Sequence, residues 1–140
     1  MDEESCLERY GLRPAGAELA EVRALLAEYT ARERRAQGDG DTELMTLCCV
    51  QLFNSGTLDD VLLIWRAKGA SFDAACSVDL ELLLGHGLPA TLAHLAAHPA
   101  PDAATALARL REAEQQGELA GFSVAAYAAA RDAYYADMED

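Results

Sequence analysis

The central stretch from Leu44 to His98 constrains the fold more than any other part of the chain. Apolar blocks recur there between glycines, with few acids and very few bases, and they read LMTLCCVQLF, VLLIW and VDLELLLG. Blocks that are apolar on nearly every side are typical of buried helices, and glycine commonly ends a helix. The pattern therefore predicts an all-helical domain in which the helices of this stretch are the most buried.

Capping residues, prolines and glycines set the expected ends of the helices. Thr42 is expected to cap one helix, Thr57 and Asp60 form a near capping box for the next, and Ser71 or Asp73 opens the one that reaches Gly85. The predicted helices cover residues 17–38, 44–53, 61–69, 71–85, 89–98, 102–116 and 123–138. We therefore expect seven or eight helices and no strand.

The chain has 140 residues, of which 51% are hydrophobic. This is the size of one ordinary domain, so we expect residues 1–140 to form a single all-helical domain. Gly56 and Gly87 lie 31 residues apart and each closes an apolar block. That spacing suggests stacked helical hairpins, as in an α-solenoid. Because the side chains themselves do not repeat, a compact bundle is the preferred architecture.

The formal net charge is −13, from 24 acids and 11 bases. Such a charge repels nucleic acids and anionic membranes, so neither is an expected partner, and a basic protein is the natural complement. Between Lys68 and Arg109 the sequence has no Lys or Arg at all. The acids of this interval are Asp73, Asp79, Glu81 and Asp102. An acidic patch is therefore expected to centre on it.

The sequence also indicates the cellular compartment in which the protein is expected. The acidic start MDEESC lacks the basic flank and apolar run of a secretory signal, and glycines, histidines and prolines break the longest uncharged stretch, Leu82 to Pro101. We therefore expect a cytoplasmic protein.

The four cysteines make no CxxC pair, and we expect them to be reduced and buried. They are Cys6, Cys48, Cys49 and Cys76.

No motif with known catalytic or cofactor chemistry is present, so neither enzymatic activity nor a cofactor is expected. His94 and His98 have the i and i+4 spacing with which two imidazoles can bind one metal. Leu95 stands where the zincin HExxH motif has its glutamate, which excludes metalloprotease chemistry by that route. Exposed histidines on an ordinary helix are the preferred interpretation, and a metal site with His86 as third ligand is the alternative.

Seven residues are the candidates for binding a partner. Carboxylates of Asp59, Asp60, Asp73, Asp79 and Glu81 would meet a basic surface, and Trp65 and Tyr134 would serve as aromatic anchors. Each has a structural alternative. The two acids at 59 and 60 suit a first helical turn, Trp65 suits a core, and Tyr134 belongs to a stripe with Val124, Tyr127, Arg131 and Met138 that could dock the last helix on the body.

The run LCCVQLFNSGTLDDVLLIWRAKGASFDAACSVDLELLLGHGLPATLAHL resembles the centre of a group of small, uncharacterised bacterial helical proteins. In size and charge the whole chain is similar to immunity proteins, which neutralise secreted toxins. Neither resemblance assigns a function to a particular residue of this chain. The similarity to immunity proteins implies a non-enzymatic inhibitor of a basic partner such as a toxin. The alternative is a helical adaptor or scaffold that binds a peptide or a second copy of itself.

Overall fold

The computed structural model describes residues 1–139, and this part of the chain folds into eight α-helices without a strand. The helices are α1 (Glu3–Tyr10), α2 (Ala17–Arg35), α3 (Thr42–Ser55), α4 (Val61–Lys68), α5 (Phe72–Ser77), α6 (Leu88–Ala97), α7 (Pro101–Gln115) and α8 (Val124–Glu139). Two 3₁₀ segments, Leu58–Asp60 and Leu80–Leu84, connect them. The predicted all-α class is confirmed.

The α3 helix forms the centre of the molecule. Every residue from 44 to 53 is buried, and the helix packs against α1, α2, α4, α5 and the 80–84 segment. The α4 helix likewise contacts α2, α5, α7 and the same 3₁₀ segment. In a stack of hairpins each unit touches only its neighbours along the chain. The contacts of α3 and α4 are instead those of a compact bundle.

Several predicted helix ends are confirmed, and two predicted caps are wrong. Ser71 caps α5 by accepting from the Ala74 amide at 3.0 Å, and Ser123 accepts in the same way from Ala126. The cap of α3 is Asp41, whose Oδ1 accepts from the Leu44 amide at 3.1 Å, and Thr42 is already helical. A carboxylate there satisfies one of the free amides of the first turn.

The sequence pattern predicted one helix where the structure has two separate elements, α5 and the 80–84 segment. A single helix over 71–85 was predicted, but α5 ends at Ser77 and the chain is extended at Val78 and Asp79 before the 3₁₀ turn. Asp79 leaves the helical path to meet side chains of α8. The short α1 helix, capped by Asp2, is not among the predicted helices.

The predicted capping box of Thr57 and Asp60 is also wrong. Thr57 makes no side-chain cap, and the Asp60 carboxylate turns inward to Arg23 of α2. The two distances are 2.8 Å from Nε and 2.9 Å from Nη2, so the pair is bidentate. With Asp60 only 5% exposed, this ion pair joins α2 to the start of α4. The Asp60 carboxylate thus binds Arg23 of another helix instead of the nearby backbone amides of its own first turn.

A buried carboxylate, Glu33, organises the turn between α2 and α3. Its Oε1 accepts from the amides of Gly38 and Gly40 at 2.9 and 3.0 Å, and its Oε2 accepts from the Ser71 hydroxyl at 2.5 Å. Gly40 packs so closely that an added Cβ would lie 2.5 Å from the Tyr29 carbonyl oxygen. The end of α2, the turn and the cap of α5 are therefore held at one point.

Replacing Glu33 by alanine should destabilise the protein strongly. The substitution leaves two backbone amides and one hydroxyl without their acceptor, so we expect a loss of about 2 to 4 kcal/mol in the free energy of unfolding. Glu28→Ala on the same helix is the control, because its i, i+4 pair with Arg32 is exposed and contributes only about 0.3 to 0.5 kcal/mol. Urea unfolding followed by circular dichroism measures both, and equal losses would contradict this role of Glu33.

The contribution of Glu33 should also depend on pH. Burial acts to raise the pKa of Glu33, but the hydrogen bonds from Ser71, Gly40 and Gly38 outweigh it and hold the pKa below its ordinary value. The stabilisation is therefore fully present above about pH 4.3, the ordinary pKa of glutamate, and is lost as the pH falls through the lower folded value. The stability difference between wild type and Glu33→Ala should shrink between pH 7 and pH 3. A constant difference would contradict the lowered pKa.

Candidate functional site

The structure places the five acids predicted to bind a partner in different surroundings. Asp60 is buried against Arg23, so the prediction that it faces a partner is corrected. Asp59 is exposed beside it, and Asp73 is exposed at the start of α5. Asp79 and Glu81 both lie near the Lys68 ammonium, whose pKa burial lowers while these two carboxylates oppose the change. The acids of the central stretch thus differ in how much of their charge is available at the surface.

Cations distant in sequence account for part of this outcome. Asp102 pairs with Arg66 at 2.6 Å, and Asp79 pairs with Arg131 at 2.8 Å. Both acids were expected to lack a neighbouring base, but the fold supplies one from another helix. An acid engaged in this way has less charge available for a partner.

The two predicted aromatic anchors differ in exposure. Trp65 is half-buried and packs against the core, which agrees with its structural alternative. Tyr134 is 53% exposed. It extends from the last turns of α8 together with Met138, which is 38% exposed. Of the two predicted anchors, Tyr134 is therefore the one that remains available for an interface, and Phe72 at the start of α5 is a further exposed aromatic residue.

The predicted stripe on α8 changes its role along the helix. Near the start, the Tyr127 hydroxyl donates to Asp79 Oδ2 at 2.7 Å and its ring packs against Phe53 with the centroids 5.1 Å apart. Arg131 contacts the same carboxylate oxygen at 2.8 Å. Further on, Tyr134 and Met138 turn to the surface, while the neighbouring Tyr135 is buried. Tyr127, Arg131 and Tyr135 therefore dock the helix, and Tyr134 and Met138 are left exposed near its end.

Around this exposed end of α8 the structure gathers acids from two other helices. We define the acidic face as Glu3, Glu4, Glu8, Glu43, Tyr134 and Met138. A cavity of about 220 Å³ includes Glu3, Glu43 and Tyr134 in its lining, and a smaller one of about 120 Å³ lies among Glu4, Leu7, Glu8 and Met138. Carboxylates therefore stand next to exposed apolar groups, which is the composition expected of a surface that binds a basic protein.

The carboxylates of the acidic face are not neutralised by bases. Seven ion pairs occur among residues 1–139, and none involves Glu3, Glu4, Glu8 or Glu43. Burial raises the pKa of Glu3, and the nearby charges of Glu43, Asp41 and Asp2 raise it further. Arg131 also lines the larger cavity, but it is paired with Asp79 rather than with one of these four carboxylates.

Sequence reasoning identified only Tyr134 of the acidic face. The acids of the start MDEESC served only as an argument against a secretory signal. Two signals were present: Asp2 followed by Ser5 allows an N-terminal cap, and Glu4 and Glu8 are four residues apart on one side of the helix that it opens. That α1 would lie beside α8 depends on tertiary packing, which no local pattern carries.

The histidines and the cysteines lie in different surroundings. The rings of His94 and His98 lie 5.7 Å apart, but in the described part of the chain no three potential metal ligands come together. All four cysteines are free. Burial raises the pKa of Cys49 to about 12, which disfavours the nucleophilic thiolate. Cys76 is exposed, so the expectation that every thiol is buried is wrong for this residue.

Comparisons with known proteins identify no family. No protein-family model, curated protein or solved structure gives a significant match to the chain. Among residues 1–139 no helix has both the length and the apolar character needed to cross a membrane. The function must therefore be inferred from the surface itself.

The Asp79 contacts should determine how firmly α8 is docked. In Asp79→Asn the half-buried Arg131 guanidinium loses its charged partner, so we expect about 1 to 2 kcal/mol of local destabilisation. Hydrogen–deuterium exchange should become faster in α8 and stay unchanged in α3. Asp73→Asn is the matched control, because it removes the same charge at an exposed position. Equal effects of the two variants on α8 would contradict this role of Asp79.

Proposed function

We propose that this protein is an acidic, non-enzymatic binding protein that neutralises a basic partner, such as a toxin, as immunity proteins do. The observation that carries the proposal is the acidic face, where unpaired carboxylates surround exposed Tyr134 and Met138. The net charge of −13 acts in the same direction over the whole surface.

Two physical effects support binding of a basic protein at this face. Complementary charge steers the encounter and raises the association rate. Exposed tyrosine and methionine then supply apolar contact area at a modest entropic cost, because tyrosine has few rotatable bonds and methionine adapts its shape. Carboxylates bound over a cationic groove of the partner would also keep the partner's substrate out of that groove. The partner would then be inhibited by binding alone, without a chemical reaction.

A second candidate function, a helical adaptor, is favoured by a different feature. A depression of about 310 Å³ lies between α2 and α4, with a lining that is mainly apolar and includes Ala27, Ala31 and Leu63. Arg34 and Arg66 flank it. A groove of this composition suits an apolar peptide with an acidic group. Binding there would depend little on the acidic face.

The first experiment is an affinity pull-down with the purified protein at low and high salt, followed by an inhibition assay on the captured protein. At about 0.05 M salt we expect recovery of one basic protein, and at about 1 M salt its loss, because surface charges are screened within about 3 Å at that ionic strength. The captured protein should lose its activity when one molar equivalent of the purified acidic protein is added to it. Salt-insensitive partners, or self-association alone, would contradict the inhibitor and favour the adaptor.

Paired variants locate the surface. Glu4→Gln with Glu8→Gln should slow association with the captured protein about three- to tenfold at low salt, because edge charges act mainly on the encounter. Glu112→Gln with Glu114→Gln is the control, since both residues are exposed on α7 and the change in charge is the same. Surface plasmon resonance measures both rates. Equal slowing by the two pairs would show that only the overall charge matters.

A further inference from the structure

Among the described residues, Phe72 at the start of α5 is the large apolar side chain with the greatest exposure. It is 76% exposed, against 53% for Tyr134. The α5 helix is capped by Ser71 and buries Ala74, so it docks on the core without the Phe72 ring. A ring left in water forgoes the stabilisation that its burial would give. This position therefore suits a contact with another molecule.

The apolar depression between α2 and α4 lies at the same end of the molecule as Phe72. Arg34 and Arg66 flank the depression, and the Arg34 guanidinium donates to the Arg66 carbonyl oxygen at 3.1 Å. Ser71, directly before Phe72, donates to the Glu33 carboxylate, and Glu33 precedes Arg34 in α2. The exposed ring and the depression are thus both placed at the C-terminal ends of α2 and α4.

The depression has the size and the lining to hold an aromatic ring. Its volume is about 310 Å³, and Ala27, Ala31 and Leu63 form its apolar part. The two alanines are exposed, and their small side chains leave the space open. An apolar cavity of about 150 Å³ is sufficient to bind benzene. A phenyl ring from another molecule therefore fits.

The charges at this end indicate what accompanies the ring. Among residues 1–139, Arg66 is paired with Asp102, whereas Arg34 is paired with no carboxylate. Asp73 directly follows Phe72, is exposed, and has no ion pair in the same part of the chain. A ring with a carboxylate beside it would match an apolar depression with a free guanidinium beside it.

The local charge also reduces the main obstacle to self-association. Two chains with a net charge of −13 repel one another. The last turns of α2 and α4, however, hold five of the chain's 11 bases, which are Arg32, Arg34, Arg35, Arg66 and Lys68. A contact at these helix ends brings the bases of one copy towards the acids of the other, which limits the repulsion.

We propose that the protein forms a two-fold symmetric dimer in which Phe72 of each copy enters the depression of the other and Asp73 pairs there with Arg34. The inference names an occupant for the depression of the second candidate function and does not depend on the acidic face. A projecting ring and a hollow on opposite sides of a chain would build an open filament. Because both lie at one end here, a single two-fold axis can satisfy the two contacts at once.

The first test is sedimentation velocity from about 1 μM to about 1 mM protein, the range of weak association. We expect a monomer–dimer equilibrium in the wild type. Phe72→Ala should weaken dimerisation at least about tenfold, because a buried aromatic anchor is lost from each copy. Its thermal stability should be unchanged, since the ring does not pack on the core. Tyr134→Ala, which removes another exposed aromatic ring, is the control. A monomeric wild type, or equal weakening by both variants, would overturn the proposal.

A mixing experiment tests whether the ring enters the partner's depression. Ala27→Gln with Ala31→Gln fills the depression with polar side chains that a helix accepts, and should weaken dimerisation at least about tenfold. Ala104→Gln with Ala108→Gln is the control, because both residues are exposed on α7. The filled variant mixed with Phe72→Ala retains one intact ring and one intact depression. The mixture should therefore associate more tightly than either variant alone, and a mixture that does not would overturn the assigned geometry.

A charge exchange tests the pairing of Asp73 with Arg34. Asp73→Arg and Arg34→Asp should each weaken dimerisation about three- to tenfold, because like charges then face each other across the contact. The variant that carries both substitutions should return to within about twofold of the wild type. If it is as weak as the single variants, Asp73 does not meet Arg34.

The same variants separate this inference from the proposed function. If Phe72→Ala is monomeric and still captures and inhibits the basic partner, the dimer and the inhibitor function both stand. If the wild type dimerises but captures no basic protein, the dimer stands and the inhibitor function is wrong. If the wild type is monomeric at every concentration but captures and inhibits a basic protein, only the dimer is wrong.

Discussion

The α3 helix is apolar on all of its faces, and the rest of the fold follows from the need to cover it. An amphipathic helix needs only one packed side, whereas the ten buried residues from 44 to 53 need neighbours all round. Helices α1, α2, α4 and α5 and the 80–84 segment supply them. This requirement also explains why glycine stands at position 85, where an added Cβ would lie 2.4 Å from the Phe53 carbonyl oxygen.

Covering one helix on all sides places chain turns against the bundle, and the backbone groups of these turns need partners. Polar side chains of the core helices provide them. Gln51 donates to the carbonyl oxygen of Gly11 at 2.7 Å, and Asn54 donates to that of Leu12 at 2.9 Å. In the 36–40 turn the Glu33 carboxylate accepts from the amides of Gly38 and Gly40. The few polar groups near α3 thus fix the loops that let other helices reach it.

Local signals were sufficient for the fold class and for most helix ends, because caps and apolar periodicity act over a few residues. Ser71, Ser123 and Gly56 end or begin helices as their residue types predict. Two of the failures have the same physical origin. Asp60 and Asp79 suited local roles in the sequence, but Arg23 and Arg131, at least 37 residues away, offer stronger charged partners. Contacts between distant residues leave no mark on local periodicity.

The same contacts determine which acids remain available at the surface. Asp60, Asp79 and Asp102 are engaged by arginines, and Asp2 and Asp41 cap helices through their carboxylates. Glu3 and Glu43 lie in the first helical turns after those caps, where the helix dipole favours negative charge, and Arg131, which lines the same cavity, is paired with Asp79. Two helix starts thus bring four acids into one small region beside α8. The excess of acids is spread along the sequence, and packing of α1 and α3 concentrates part of it beside α8.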